Sequence, residues 1–188
     1  PRRQVGKNGD GRVWLLRNRF FDDRFVIRRR YLKAIQLAKH DICMANAYFL
    51  PDRRILGALR KAARRGVRVR LLLPGISDVP IVKAAMEASY ETYMRWGLEI
   101  REWPGSMLHH KLALFDHKVM CIGSYNLDNV SLLKNLEISA WITRSPAIAR
   151  AQKAFERDWA ASLAVQPGGV RLSAWKRFVA WMVMRMDA

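Results

Sequence analysis

The sequence predicts an α/β fold, an α/β/α layered domain whose mixed, mostly parallel sheet carries helices on both faces. Three observations predict it: apolar strand-like runs alternate with segments of helical spacing, several of those runs are apolar on both faces, and glycines close the helical segments. The order begins with a strand at Val13 to Leu16, then Asp22 or Asp23 as a helix cap, then Phe25, Ile27, Tyr31, Leu32, Ile35 and Ala38 at helical spacing. Asp41 to Phe49 (DICMANAYF) reads as a buried strand. Pro51-Asp52 opens a helix bearing Ile55, Leu56, Leu59 and Ala62, and Gly66 ends it.

Residues 67 to 75 (VRVRLLLPG) alternate and then become wholly apolar, as a strand does on entering a sheet. A loop with Gly75, Ser77 and Asp78 leads to a helix from about Val79 to Trp96, stopped by Gly97, and Leu98 to Trp103 returns as a strand. A hairpin follows, with strands from His109 to Phe115 and Lys118 to Ile122 about an Asp116-His117 turn. After a Gly-Ser-Tyr-Asn loop comes a last strand, Leu136 to Thr143, and a helix from Ser145-Pro146 that aligns Ile148, Ala151, Phe155 and Trp159. The globular unit is expected over residues 1 to 165, and residues 166 to 188 form a linker (Pro167-Gly168-Gly169) and an amphipathic helix.

A chain of 188 residues, 51% hydrophobic, can bury a substantial core. It begins with Pro1 rather than methionine and reaches a strand by Val13, so it is expected to belong to a longer protein. Its 34 Lys and Arg against 16 Asp and Glu leave +18, which favours a polyanionic partner, either nucleic acid or an anionic membrane surface. The clusters Arg28-Arg29-Arg30, Arg53-Arg54 and Arg64-Arg65 read equally well as solvated helix faces, and no aromatic RNA-binding signature or zinc-finger spacing accompanies them. Cys43 and Cys121 lie in apolar runs, as reduced, buried thiols do. The longest uninterrupted apolar run, Phe178 to Met184, is far below the roughly 20 residues of a spanning helix.

Chemistry concentrates in HHKLALFDHKVMCIGSYN, residues 109 to 126. Side chains alternate along a strand, so His109 and Lys111 share a face while His110 points away. An imidazole beside an ammonium, with Ser124 and Asn126 returning after a hairpin, suits a phosphate: one nucleophile, one cation and two neutral hydrogen-bond partners. His117 falls in the turn, and nothing forms a two-metal carboxylate site, so the lysine is expected to do the electrostatic work of a metal, with no cofactor.

These residues resemble the signature of the phospholipase D superfamily, His-x-Lys, four residues, Asp, six residues, Gly-Ser-x-Asn, met here by His109, Lys111, Asp116, Gly123, Ser124 and Asn126. Tyr-Phe-x-Pro at Tyr48, Leu-Pro-Gly-x-Ser-Asp ending at Asp78 and the Asn-Leu-Asp-x-x-Ser continuation from Asn126 narrow the likeness to the C-terminal half of bacterial cardiolipin synthases, B type. The resemblance implies a phospholipase D-like domain with one motif copy that transfers a phosphatidyl group between phospholipids through a phosphohistidine. It implies His109 as nucleophile or as general acid and base, Lys111 with Ser124 and Asn126 on the phosphoryl oxygens, and Glu137 orienting the histidine. Asp116 is a motif member and architectural support at a turn, less a proton carrier.

Active sites of this superfamily use two such motifs, and His40, followed by Ile42 two residues on, does not supply a second. The partner is expected to be a missing N-terminal half or a second identical chain, and the location the cytoplasmic face of the bacterial cell membrane. The tail from Arg171 sets Leu172, Trp175, Phe178, Val179, Met182, Val183 and Met186 on one side, suited to a membrane interface or to packing on the protein itself. An alternative is a homodimeric single-motif phosphodiesterase or nuclease, because DNA is a phosphodiester too. A non-catalytic binding module is disfavoured by the intact motif.

Overall fold

The structure, a computed structural model, describes residues 3–4, 11–18, 24–169 and 174. The cap expected at Asp22 or Asp23 and the tail helix, apart from Ala174, lie outside these residues. The elements run β1 (Arg3–Gln4), β2 (Arg12–Arg17), α1 (Val26–Leu37), β3 (Asp41–Asn46), α2 (Arg53–Arg64), β4 (Arg68–Pro74), α3 (Pro80–Arg95), β5 (Leu98–Trp103), β6 (Lys111–Phe115), β7 (Val119–Gly123), α4 (Asn129–Leu133), β8 (Ile138–Thr143), α5 (Pro146–Ala161) and β9 (Leu163–Ala164).

One mixed sheet orders them β1-β2-β8-β7-β6-β3-β4-β5-β9. The α/β class and the mixed sheet are as the sequence predicts, but parallel pairing is the minority: among the described strands only β3–β4 and β4–β5 are parallel. The reason lies in the connections. Helices α2 and α3 each carry the chain back across the sheet, which makes the following strand parallel, whereas a tight turn joins β6 to β7, and the longer β7–β8 connection through α4 returns to the pole where β7 ended, so both pairs are antiparallel.

Strand alternation divides the core into two layers. On one face Ile42, Met44, Val69, Leu71, Phe115 and Trp141 pack against α1, α2 and α3 through Tyr31, Ile35, Leu59 and Tyr90. On the other, Cys43, Ala45, Leu72, Leu112 and Leu114 pack against α5 through Ile148, Phe155 and Trp159. Both cysteines are buried free thiols, each pushed up to about 12, chiefly by burial.

Helix ends follow local chemistry. Asp52 caps α2 by accepting from the N–H groups of Arg54 (2.7 Å) and Ile55 (3.1 Å). Gly66, with φ 85°, lets the chain leave α2 for β4. At α1 the cap position is Phe25, and the oxygen comes from outside the helix: Asn18 Oδ1 accepts from Ile27 N at 3.3 Å. The arginine clusters divide, for Arg28 lies 3.3 Å from Asp52 and over the Phe25 ring, while Arg53 and Arg54 are exposed.

Candidate active site

Strands β3, β4 and β7 end, and β6 and β8 begin, at one pole of the sheet. In register, Asn46 stands opposite Lys111, and Gly123 opposite Ser139. Lys111 and Asn46 share the parity of Ala113, Phe115 and Met44, so they project on the α1–α3 face, just past the apolar core.

Strand β6 starts at Lys111 rather than at His109, but Ala47 N donates to His110 O at 2.9 Å and carries the pairing one residue further. Strand alternation continued over that segment would set His109 on the face of Lys111 and His110 opposite. Both histidines are exposed, and the imidazole of His109 makes no hydrogen bond among the described residues. Lys111 is 9% exposed and donates to His109 O at 3.1 Å. Burial lowers its pKa, and the negative charges of Glu137, Asp128 and Asp78 partly offset that.

Close approach of β7 and β8 builds the other wall. A β-carbon on Gly123 would lie 2.6 Å from Ser139 Cα and closer still to the carbonyl oxygen of Ile138, so only glycine fits. Ser124 N then donates to Ile138 O at 2.9 Å, Ile138 N donates to Ser124 Oγ at 3.1 Å, and Ser124 Oγ donates to Glu137. Glu137 is buried and also accepts from Asn135 Nδ2 at 3.2 Å. Its carboxylate thus holds Ser124 here, and the bond to His109 that the resemblance implies is not formed. Asn126 sits in the same loop with Oδ1 buried and without a partner.

Asp116 stands at the far end of β6 from His109. With φ 50° it accepts from the backbone N–H groups of Lys39 (2.9 Å), His40 (2.8 Å) and Asp41 (3.0 Å). Those three donors outweigh the effect of burial and hold its carboxyl below the usual aspartate range. The structure therefore brings His109, Lys111, Ser124, Asn126 and Glu137 to one pole and Asp116 to the other.

Sequence reasoning missed Asn46, which is fully buried, accepts from Leu127 N at 3.2 Å through Oδ1 and so ties the Ser124–Leu127 loop to the sheet. Its signal was a lone amide at the end of an apolar strand. Tyr48 and Asp78 carried no site role in the sequence; the Tyr48 hydroxyl donates to Asp78 at 2.5 Å, and burial and that carboxylate push the phenol up to about 12. The donor atoms of Asp41, Cys43 and Glu156 lie within 4.8 Å of one another, but Arg70 already neutralises both carboxylates, at 2.8 and 2.6 Å, and the Cys43 thiol stays protonated. A metal does not suit that set.

Comparison with known proteins fits this arrangement. Residues 31–159 match the family model described as cardiolipin synthase, PLD-like domain. Cardiolipin synthase B of Escherichia coli (strain K12) is 41% identical over 140 residues, 74% of this chain and 33% of that protein. The chain spans about a third of the length of the curated relatives it matches.

Among solved structures, the phospholipase D family member Nuc from Salmonella typhimurium superposes with a TM-score of 0.68 at 21% identity, covering 84% of this chain and 99% of that one. Phosphatidylserine synthase from Haemophilus influenzae Rd KW20 gives 0.73 at 12% identity, covering 94% of this chain and 45% of that one. These likenesses establish the fold, and the family match reaches from α1 to the end of α5 and includes every residue of the motif: the chain belongs to the PLD-like domain family of cardiolipin synthases.

Proposed function

We propose that this domain supplies one half-site of a phosphatidyltransferase of the cardiolipin synthase type. The observation that supports the reading is the placing of exposed His109 next to buried Lys111, whose ammonium donates to the His109 carbonyl oxygen at 3.1 Å, at the pole that also holds the Gly123–Asn126 loop. In the transfer, a histidine nitrogen attacks phosphorus and forms an N–P bond as the bond to the departing alcohol breaks, and the second histidine protonates that alcohol. The acceptor hydroxyl then gives its proton to the second histidine and attacks phosphorus, and the N–P bond breaks. His109 takes either role, and the other belongs to the complementary motif, in an N-terminal part of the same protein or in a second identical chain.

Lys111, Ser124 and Asn126 stabilise the charge that grows on the non-bridging oxygens. Glu137 is assigned to orient His109: a phosphoryl oxygen that takes over the Ser124 hydrogen would release the carboxylate for the imidazole. Asp116 is assigned to architecture. The setting is peripheral, at the cytoplasmic face of the membrane, with phospholipids as substrates; no helix among the described residues is long and apolar enough to cross a bilayer.

A homodimeric phosphodiesterase acting on nucleic acid is the second reading. It is favoured by the net charge of +18 and by Nuc, whose chain is covered almost end to end by this one unit.

The test is turnover of labelled phosphatidylglycerol in anionic vesicles, with the complementary half present and a chelator added. His109→Ala should lower the rate by about 10²- to 10⁴-fold or more, and His110→Ala should leave it nearly unchanged. Equal losses would contradict the assignment of strand faces, and cleavage of DNA in place of lipid transfer would favour the second reading.

A further inference from the structure

Nine large aliphatic side chains are exposed among the described residues, and all but Leu37 and Leu163 stand at the pole that holds His109 and Lys111. They come from separate connections. Ile76 and Ile81 flank Asp78 between β4 and the first turn of α3; Val130 and Leu133 lie three apart on α4; Leu136, 68% exposed, and Ile138 lead into β8. Ile122, near the end of β7, shares the parity of Met120, as Ile138 shares that of Ile142, so these two stand at the same pole on the α5 face. Exposed aliphatics on a protein surface are normally scattered singly, so a group of them gathered at one pole marks an interaction surface.

Charge indicates what covers it. Exposed Arg17 pairs in register with Ile138, exposed Lys134 follows α4 directly, and exposed Arg53 and Arg54 stand at the N-terminus of α2, which faces the same pole. The core of a protein–protein interface is depleted in lysine and enriched in aromatic side chains. Among the described residues the exposed set holds no aromatic side chain, and cations are interspersed with aliphatics, the composition of a surface resting at the boundary between lipid headgroups and acyl chains. A chain at +18 complements an anionic leaflet.

We infer that this aliphatic and cationic rim seats in the surface of an anionic bilayer and brings the phosphate site to the depth of the lipid phosphodiester. The inference rests on the lipid reading of the site and adds the face by which the domain meets its substrate, independently of the tail.

Site-specific labelling tests it. Both native cysteines are buried, so a polarity-sensitive fluorophore on Leu136→Cys, Ile76→Cys or Leu37→Cys reports one position at a time. With vesicles of phosphatidylglycerol and phosphatidylcholine in equal parts, the labels at 136 and 76 should shift to the blue and lose quenching by aqueous iodide. The label at 37 should do neither, and pure phosphatidylcholine should give a smaller response. Sedimentation with vesicles while the labels at 136 and 76 stay unchanged overturns the inference. A shift that needs no vesicles and grows with protein concentration also overturns it, in favour of a second copy on the rim; so does a shift elicited by DNA but not by vesicles. Adding His109→Ala to the labelled chain separates the two readings, since loss of turnover with the shift retained supports both, and turnover retained sinks the catalytic assignment alone.

Discussion

Asp116 shows how a motif residue can be tied into the fold far from the other motif side chains. The five-residue strand β6 separates it from Lys111 by roughly 15–20 Å, and its two oxygens accept three backbone N–H groups at the start of β3. Asp116→Asn tolerates the positive φ but halves the accepting capacity, and should cost about 1–2 kcal/mol in a denaturant melt. Because the folded carboxyl titrates below its ordinary value, its stabilisation is complete above the usual carboxylate range and is lost as pH falls through the depressed value. The gap between wild type and variant should be full at neutral pH and close in acid; a gap that persists in acid would show that the charge is not what matters. His109, Lys111, Ser124 and Asn126 were legible in the sequence because their spacing is fixed along one hairpin. Asn46 was not, since only the pairing of β3 with β6 puts it beside Lys111.

Among the elements, the contact of β7 with β8 is the most demanding. Gly123→Ala would drive a β-carbon into the backbone at Ile138 and Ser139, and should cost about 1–3 kcal/mol, a fall of roughly 2–10 °C in Tm. Turnover should drop as well, because the same contact holds Ser124 in place; an unchanged Tm would mean that the strands are free to part. Helices and strands could be read in order because apolar runs, Asp52 and Gly66 act locally. The balance of parallel and antiparallel pairs could not, because it depends on which distant strand each one meets. Helix α4, five residues long, is too short to show a period, and only its cap, Asp128, accepting from Ser131 N at 2.6 Å, announces it.

At the scale of the whole molecule, the proposed half-site role predicts that any turnover by this 188-residue chain alone requires two copies. Its specific activity should therefore rise with protein concentration and level off on dimerisation, and a constant value on dilution would show that a single motif suffices. The aliphatic rim belongs to this scale too: Ile76, Leu136 and Ile138 are dispersed in sequence and are gathered only by the sheet. The sheet also sets when the site can exist. Leu15 of β2 pairs with Ala140 of β8, and Asn46 with Lys111, so a ribosome must release the chain through β6 before the second ladder closes and through β8 before the first. A nascent chain stalled before Thr143 would hold β2 without its β8 partner, and until residue 111 emerges β3 would lack one neighbour. Translation of this domain would thus expose open strand edges, the surface that chaperones shield, until β8 emerges.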